Sequence, residues 1–245
     1  MNPKLYKVLA PCRRSCHGGS HTWEPGVWYT VEGELVACKR GFHLCRANDL
    51  LEWLHAEIWH AEARGQIVDG GNKLVVRSAR ITTPTAWGDT TARLFAADCA
   101  ERALAVAKVT DARSHAAVKA AREFAGGLID AAAGAAAWAA ARDAARDAAG
   151  DAARDAAKAA AWAAARDAAW DAAGDAARAA ARAAAGAAAG DVAGDAARAA
   201  ARAAAWVAER AWQTKRLVAY IEGRVDIERV IAEAYAGGSA ARPRP

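Results

Sequence analysis

The sequence predicts an α+β protein: a small β-rich N-terminal domain followed by an Ala-rich, all-α region of tetrapeptide repeats. Three observations carry this. Period-2 and β-branched runs separated by turn residues fill the first 88 of 245 residues. From Asp89 the apolar spacing becomes helical, and from Gly134 to Trp206 a four-residue unit holds register without a slip. Bulky apolar residues become scarce after residue 130: residues 131–210 hold 48 alanines in 80 positions, and the whole chain has three Phe, four Tyr and one Met.

In the N-terminal domain, residues 1–88, strands are expected at Leu5–Leu9, Val27–Val31, Glu34–Lys39, Glu57–Gln66 and Lys73–Thr82. Gly18–Gly19, Pro25–Gly26, Glu32–Gly33 and Gly70–Gly71–Asn72 supply the turns, with Glu32–Gly33 placed to join two strands in a tight hairpin. Asn48 or Asp49 is positioned to cap a short helix through Leu54. Residues 89–130 read as connecting helices. The first carries Leu94, Phe95, Cys99, Leu104, Val106 and Val109 near helical spacing; the second runs from Asp111 to Phe124 and ends at Gly126–Gly127.

Residues 131–210 form the repeat. Two positions of each four are alanine, Val192 excepted; the third is Gly, Arg, Lys or Trp, and the fourth is Asp or Ala until Val207. Alanine is the best helix former, and pairs such as Asp143–Arg146 and Asp151–Arg154 have the i,i+3 spacing of intrahelical ion pairs. On a straight helix a four-residue period drifts by about 40° per repeat, so no long two-helix seam can form. Two arrangements remain: short helices folded back at the glycines and packed alanine to alanine, or a tight right-handed superhelix. Residues 211–236 restore bulky apolar residues and are expected to cap the open end of the repeat. Residues 237–245 read as a disordered tail.

The net charge of +5 is spread thinly, with 11 basic and 8 acidic residues in 1–88 and 10 of each in 131–210. No region is a basic block, so nucleic acid is not expected as a partner, with a local patch around Lys39, Arg40 and Arg46 as the alternative. No stretch approaches a transmembrane span and no leader is recognisable, which makes the reading cytoplasmic and without a membrane partner. Five cysteines, with Cys99 in a helical pattern, argue against a disulfide framework.

The Cys/His density at Cys12, Cys16, His17, His21, Cys38, His43 and Cys45 raises zinc as a candidate, with Cys12, Cys16, Cys38 and Cys45 as ligands. Their spacing is poor for the common zinc patterns, and the alternative is buried thiols with hydrogen-bonded histidines, with no cofactor. Cys16 beside His17, or Cys45 near His43, would suit a thiolate nucleophile, yet no residue to orient the histidine is identifiable. The glycines of His17–Gly18–Gly19 and Gly41–Phe42–His43 would let backbone approach a phosphate, but neither Gly18–Gly19 nor Gly70–Gly71 opens a helix in the manner of a phosphate loop, and turns are their expected role. Tryptophans offer recognition surfaces: Trp23 and Trp28 in the first domain, and Trp138, Trp162, Trp170 and Trp206 in the repeat.

The run Ser15–Gly19, with Thr22–Trp23, Pro25–Trp28, Leu35–Cys38, Gly41–Leu44 and Ala61–Gly65, resembles an uncharacterised small domain of bacterial and bacteriophage proteins, over about residues 4–83. Asp98–Arg102, the repeat and Ala208–Gln213 are similar to Ala-rich helical proteins of actinobacteria and their phages, some of which are labelled immunity proteins by association. A fainter resemblance sets His17, His43 and a carboxylate at Glu57 or Glu62 beside ADP-ribosyltransferase-type folds, which would imply a nucleotide-handling enzyme with His17, His43 and Glu62 in its site. The leading expectation is non-catalytic: a binding or scaffold protein of a phage or actinobacterial cytoplasm, recognising a protein partner through its tryptophan surfaces and able to self-associate through the repeat.

Overall fold

A computed structural model of the chain describes residues 4–16, 18–165, 169–190 and 192–239. Contacts divide it into two compact units, Met1–Gly88 with Val218–Gly223, and Asp89–Leu217 with Arg224–Pro245. An antiparallel sheet is thus followed by a helical region, as the sequence predicts.

The first unit is built on β1 (Leu5–Leu9), β2 (Tyr29–Thr30), β3 (Phe42–Leu44), β4 (Glu57–Asp69) and β5 (Leu74–Pro84), ordered β1-β4-β5-β2 with β3 also paired to β5. β2 lies beside Ser78 and Ala79, and β3 beside Leu74–Val76, so the two short strands share one edge of β5. Tyr6 and Cys45 exchange both backbone hydrogen bonds, 2.9 and 2.8 Å. That bridge ties the end of β3 to β1 and closes the curved sheet on itself, leaving fewer free edges. Leu9, Trp23, Leu44, Ala61, Val76, Ala79 and Ile81 form the core beneath it.

Three expectations for this unit are corrected. Glu34–Lys39 is not a strand: Val36 accepts from both Lys39 and Arg40, a tight turn, and Val31 N–H pairs with Arg77, so Glu32–Gly33 is not a hairpin loop. The strand after it is Phe42–Leu44, short and bounded by Gly41. The short helix is a 3₁₀ segment, Ala47–Glu52, capped by Arg46 rather than by Asn48 or Asp49; the Asp49 carboxylate instead accepts from the Arg46 backbone N–H at 2.9 Å.

Seven α-helices are described: α1 (Asp89–Val106), α2 (Ala112–Ala125), α3 (Ala131–Asp147), α4 (Asp151–Ala163), α5 (Ala169–Gly190), α6 (Asp195–Ile221) and α7 (Ile227–Ser239). Asp111 and Asp130 cap α2 and α3 by accepting from backbone N–H groups, and Gly127 at φ 69° ends α2 in the left-handed region. The repeat is folded back into short helices. The expected ion pairs form, Asp151–Arg154 at 2.7 Å and Asp143–Arg146, joined by Asp195–Arg198 at 3.0 Å. α5 packs against α1 and α4 and is buried on nearly every side through Ala172–Ala184, which its small side chains permit.

Not every glycine breaks the repeat. Gly150 separates α3 from α4 and Gly194 precedes α6, whereas Gly174 and Gly186 lie inside α5. The change of composition at 210/211 falls within α6, which runs unbroken from repeat alanines to Ile221, and α7 continues through Ser239 where a tail was expected from residue 237. Residues 240–245 of that tail lie outside the described residues.

Candidate functional site

A cleft of about 380 Å³ opens on the first unit, lined by Lys7 of β1, Ser15–Cys16 and Gly18–Gly19 with His21, residues of the 38–43 segment, and Trp53 and Lys73. A smaller recess of about 60 Å³ at its base is lined by Lys7, Val8, Cys16, His43, Cys45, Trp53 and Lys73. Lys7, Lys39 and Lys73 face the cleft, and no Asp or Glu is among its lining residues.

Lys7 is the residue that sequence reasoning missed. Alternation along β1 puts Leu5, Lys7 and Leu9 on one face, and Leu5 and Leu9 pack in the core. Lys7 therefore points inward and keeps only 9% of its surface exposed. Its Nζ donates to the His43 carbonyl at 3.0 Å and sits 5.0 Å from the centre of the Trp23 ring. Among the described residues no carboxylate pairs with it. Burial pushes its pKa down, against the opposing pull of the Cys16 and Cys45 thiols. The available signal was a lone lysine between two core leucines of a five-residue strand.

His43 stands beside it on β3. Its Nε2 accepts from the Cys38 backbone N–H at 3.3 Å. Burial, with Lys7 and Lys73 nearby, lowers its pKa to about 4, so the ring is neutral at physiological pH. Cys38 has φ 63°, a left-handed backbone, and its sulfur lies 3.2 Å from Lys73 Nζ, which also sits 4.4 Å over the Trp53 ring. Cys16 donates its thiol to the Val8 carbonyl at 3.5 Å, and burial raises its pKa. Cys45 is deeper, and burial pushes its thiol up to about 12. Both shifts favour the protonated thiol. His21 also lines the cleft, its ring edge-on to Trp23 and Tyr29, and its buried Nε2 has no hydrogen-bond partner.

The zinc set is not assembled. Cys12 and Cys38 are exposed, Cys16 is half-buried and Cys45 buried, and no three His, Cys, Asp or Glu side chains converge among the described residues. Two lysines beside the Cys16–His43–Cys45 group would repel a cation. Nor does the structure join the enzyme set. His17 lies outside the described residues. Glu62 is exposed on β4 and held by Arg80 at 2.6 Å. His43 pairs with Val75 and Glu62 with Arg80, which places them roughly 17 Å apart along β5. Glu57 accepts from Trp59 Nε1 at 2.8 Å, away from the cleft lining.

Of the tryptophans, Trp23 is 1% exposed and donates to Ser15 Oγ at 3.0 Å, so it is core and not a recognition surface. Trp28 is half-buried under the guanidinium groups of Arg64 and Arg80, 4.1 and 4.9 Å from its ring. Trp138 lies 4.7 Å from the Arg142 guanidinium, and Trp162 and Trp170 are half-buried. Only Trp206 of the six is in the exposed class, beside an exposed Val207. Arg46 is engaged by Asp49 and Asp69, at 2.8 and 2.7 Å, so it adds no free charge to Lys39 and Arg40.

Residues 4–93 match a family model described as a domain of unknown function (DUF7666), and every residue of the cleft falls within that span. Comparison with curated proteins and with solved structures found no match. No helix among the described residues is long and apolar enough to cross a membrane.

Proposed function

We propose that the chain is a non-catalytic binding protein whose N-terminal domain holds a small ligand in the cleft beside Lys7, with the helical region as a scaffold. The observation that carries this reading is Lys7 itself. A buried ammonium without a carboxylate partner costs stability, and a fold keeps such a group where something else benefits from it. The separation of His43 from Glu62 along β5, and the engagement of His43 Nε2 by the Cys38 N–H, support a binding role over the His43–Glu62 arrangement. Trp206 and Val207 on α6 are the surface that supports the protein-partner part of the reading.

Native mass spectrometry of the full-length protein, set against its denatured mass, tests the cleft. A small-molecule increment in the native spectrum that disappears in Lys7→Met supports the reading. Identical bare masses for wild type and variant overturn it.

A further inference from the structure

We infer that the cleft recognises a phosphorylated small molecule, with the phosphate seated between Lys7 and Lys73 and the remainder of the ligand lying toward the aromatic wall; this rests on the binding reading above. Charge is the first argument. Lys7, Lys39 and Lys73 reach the cleft and no carboxylate lines it, a balance that suits a dianion better than a single carboxylate. Lys7 and Lys73 both line the small recess at the base, which marks where the anion sits. The second argument is the unpartnered, buried Nε2 of His21 in the same cleft, a polar atom that a ligand oxygen or hydroxyl would satisfy.

Shape gives the third. The loop at Gly18–Gly19 has φ 90° at Gly18 with open space where a Cβ would stand, so backbone and ligand can approach closely there. The cleft is much larger than its basal recess, so a bare inorganic ion leaves most of it empty. Phe42 and Trp53 supply an apolar wall for the body of the ligand. Cations set apart from acids also fit other anions, and the experiment separates these.

Full-length protein is titrated with adenosine 5′-monophosphate, adenosine, inorganic phosphate and acetate, followed by calorimetry and by the thermal midpoint. The monophosphate is expected to bind saturably, inorganic phosphate more weakly, and adenosine and acetate at least about tenfold more weakly than the monophosphate, the size of one charge-assisted contact. Lys7→Met and Lys73→Gln, each checked for native far- and near-ultraviolet dichroism, are each expected to weaken the monophosphate by about tenfold or more. Equal affinity for the monophosphate and adenosine overturns the inference, as does undiminished binding in both lysine variants. If no phosphate probe binds while the native spectrum retains a Lys7-dependent increment, the phosphate class falls and the binding reading stands. If the probes fail and the increment is also absent, both fall.

Discussion

At the scale of single residues, Lys7 and His43 set opposite demands on the same few ångströms. Lys7 is an inward-facing charge that burial destabilises, so replacing it by a side chain of similar length without charge should stabilise the empty protein. Lys7→Met is expected to raise ligand-free stability by about 1 kcal/mol or more, read by urea unfolding; a loss of stability would mean that the charge holds the fold together instead of serving a ligand. His43 adds a pH dependence of definite sign. Its folded pKa, about 4, lies below the usual value of 6.5, so the unfolded chain takes up a proton that the folded chain refuses. The stability this contributes is complete above pH 6.5 and is lost as the pH falls toward 4. Protonation would also remove the acceptor for the Cys38 N–H. The thermal midpoint of the wild type is expected to fall between pH 7 and 4.5 by more than that of His43→Gln, and an imidazole titration near 6.5 by nuclear magnetic resonance would contradict it. The sequence did single out Cys16, His43 and Cys45, and it offered zinc, a Cys–His nucleophile and, at His43, nucleotide handling as the reasons. What it could not display was that they line one recess with Lys7 and Lys73, residues far apart in sequence, with Lys7 on β1 and His43 on β3 brought near each other by the Tyr6–Cys45 bridge.

At the scale of elements, legibility followed the variety of the side chains. β1, β4, β5, α1 and α2 were readable because their apolar periods differ from those of their neighbours and Asp111 and Gly127 mark ends by distinct chemistry. In the repeat, both sides of a break carry the same four residues. α4 ends at Ala163 at the start of the run Ala163–Ala165, and α5 continues through Gly174 and Gly186. What decides there is how closely two backbones can approach. A Cβ added to Gly186 would lie 3.3 Å from the Ala152 Cβ and 3.4 Å from its Cα, so this glycine serves the contact of α5 with α4 and is not a break. A large side chain has no gap to enter. Gly186→Leu is expected to destabilise the helical unit by about 1–3 kcal/mol, whereas Gly190→Ala, with open space around its missing Cβ, should leave it unchanged or slightly firmer. Helical dichroism against temperature reads both. Equal midpoints for Gly186→Leu and wild type would show that the alanine contact is loose. Specificity among near-identical helices needs polar contacts as well. Gln213, fully buried, donates to the Ala177 carbonyl at 2.9 Å, and Asp98 accepts from Arg122 and Arg216 at 3.0 and 2.6 Å, which fixes where α6 meets α5 and α1 in an otherwise uniform surface.

At the scale of the whole molecule, the chain order and the compact units do not coincide. The family model ends at residue 93, and the sequence places the close of the N-terminal domain at residue 88, yet the first unit also includes Val218–Gly223, the end of α6 and the turn after it. That segment brings its own bonds. Ala86 N–H donates to the Ile221 carbonyl at 2.9 Å, Lys4 pairs with Glu222 at 2.5 Å, and Tyr220 and Ile221 are buried. No sequence period could announce this, because the partners lie more than 130 residues apart and the segment reads as an ordinary amphipathic helix end. A fragment covering residues 1–93 would then lack the Ile221 carbonyl and the Glu222 carboxylate that meet Ala86 and Lys4, while keeping every residue of the cleft. It is expected to melt below the first transition of the full chain, by an amount set by one backbone hydrogen bond and the apolar area that Tyr220 and Ile221 cover, about 2–4 kcal/mol together. Adding a synthetic peptide spanning residues 214–224 in excess should recover part of that loss, since whatever binds only the folded form stabilises it. If the fragment melts with the full chain and ignores the peptide, the C-terminal segment is not part of the first unit's folding, and the stretch matched by the family model is sufficient by itself.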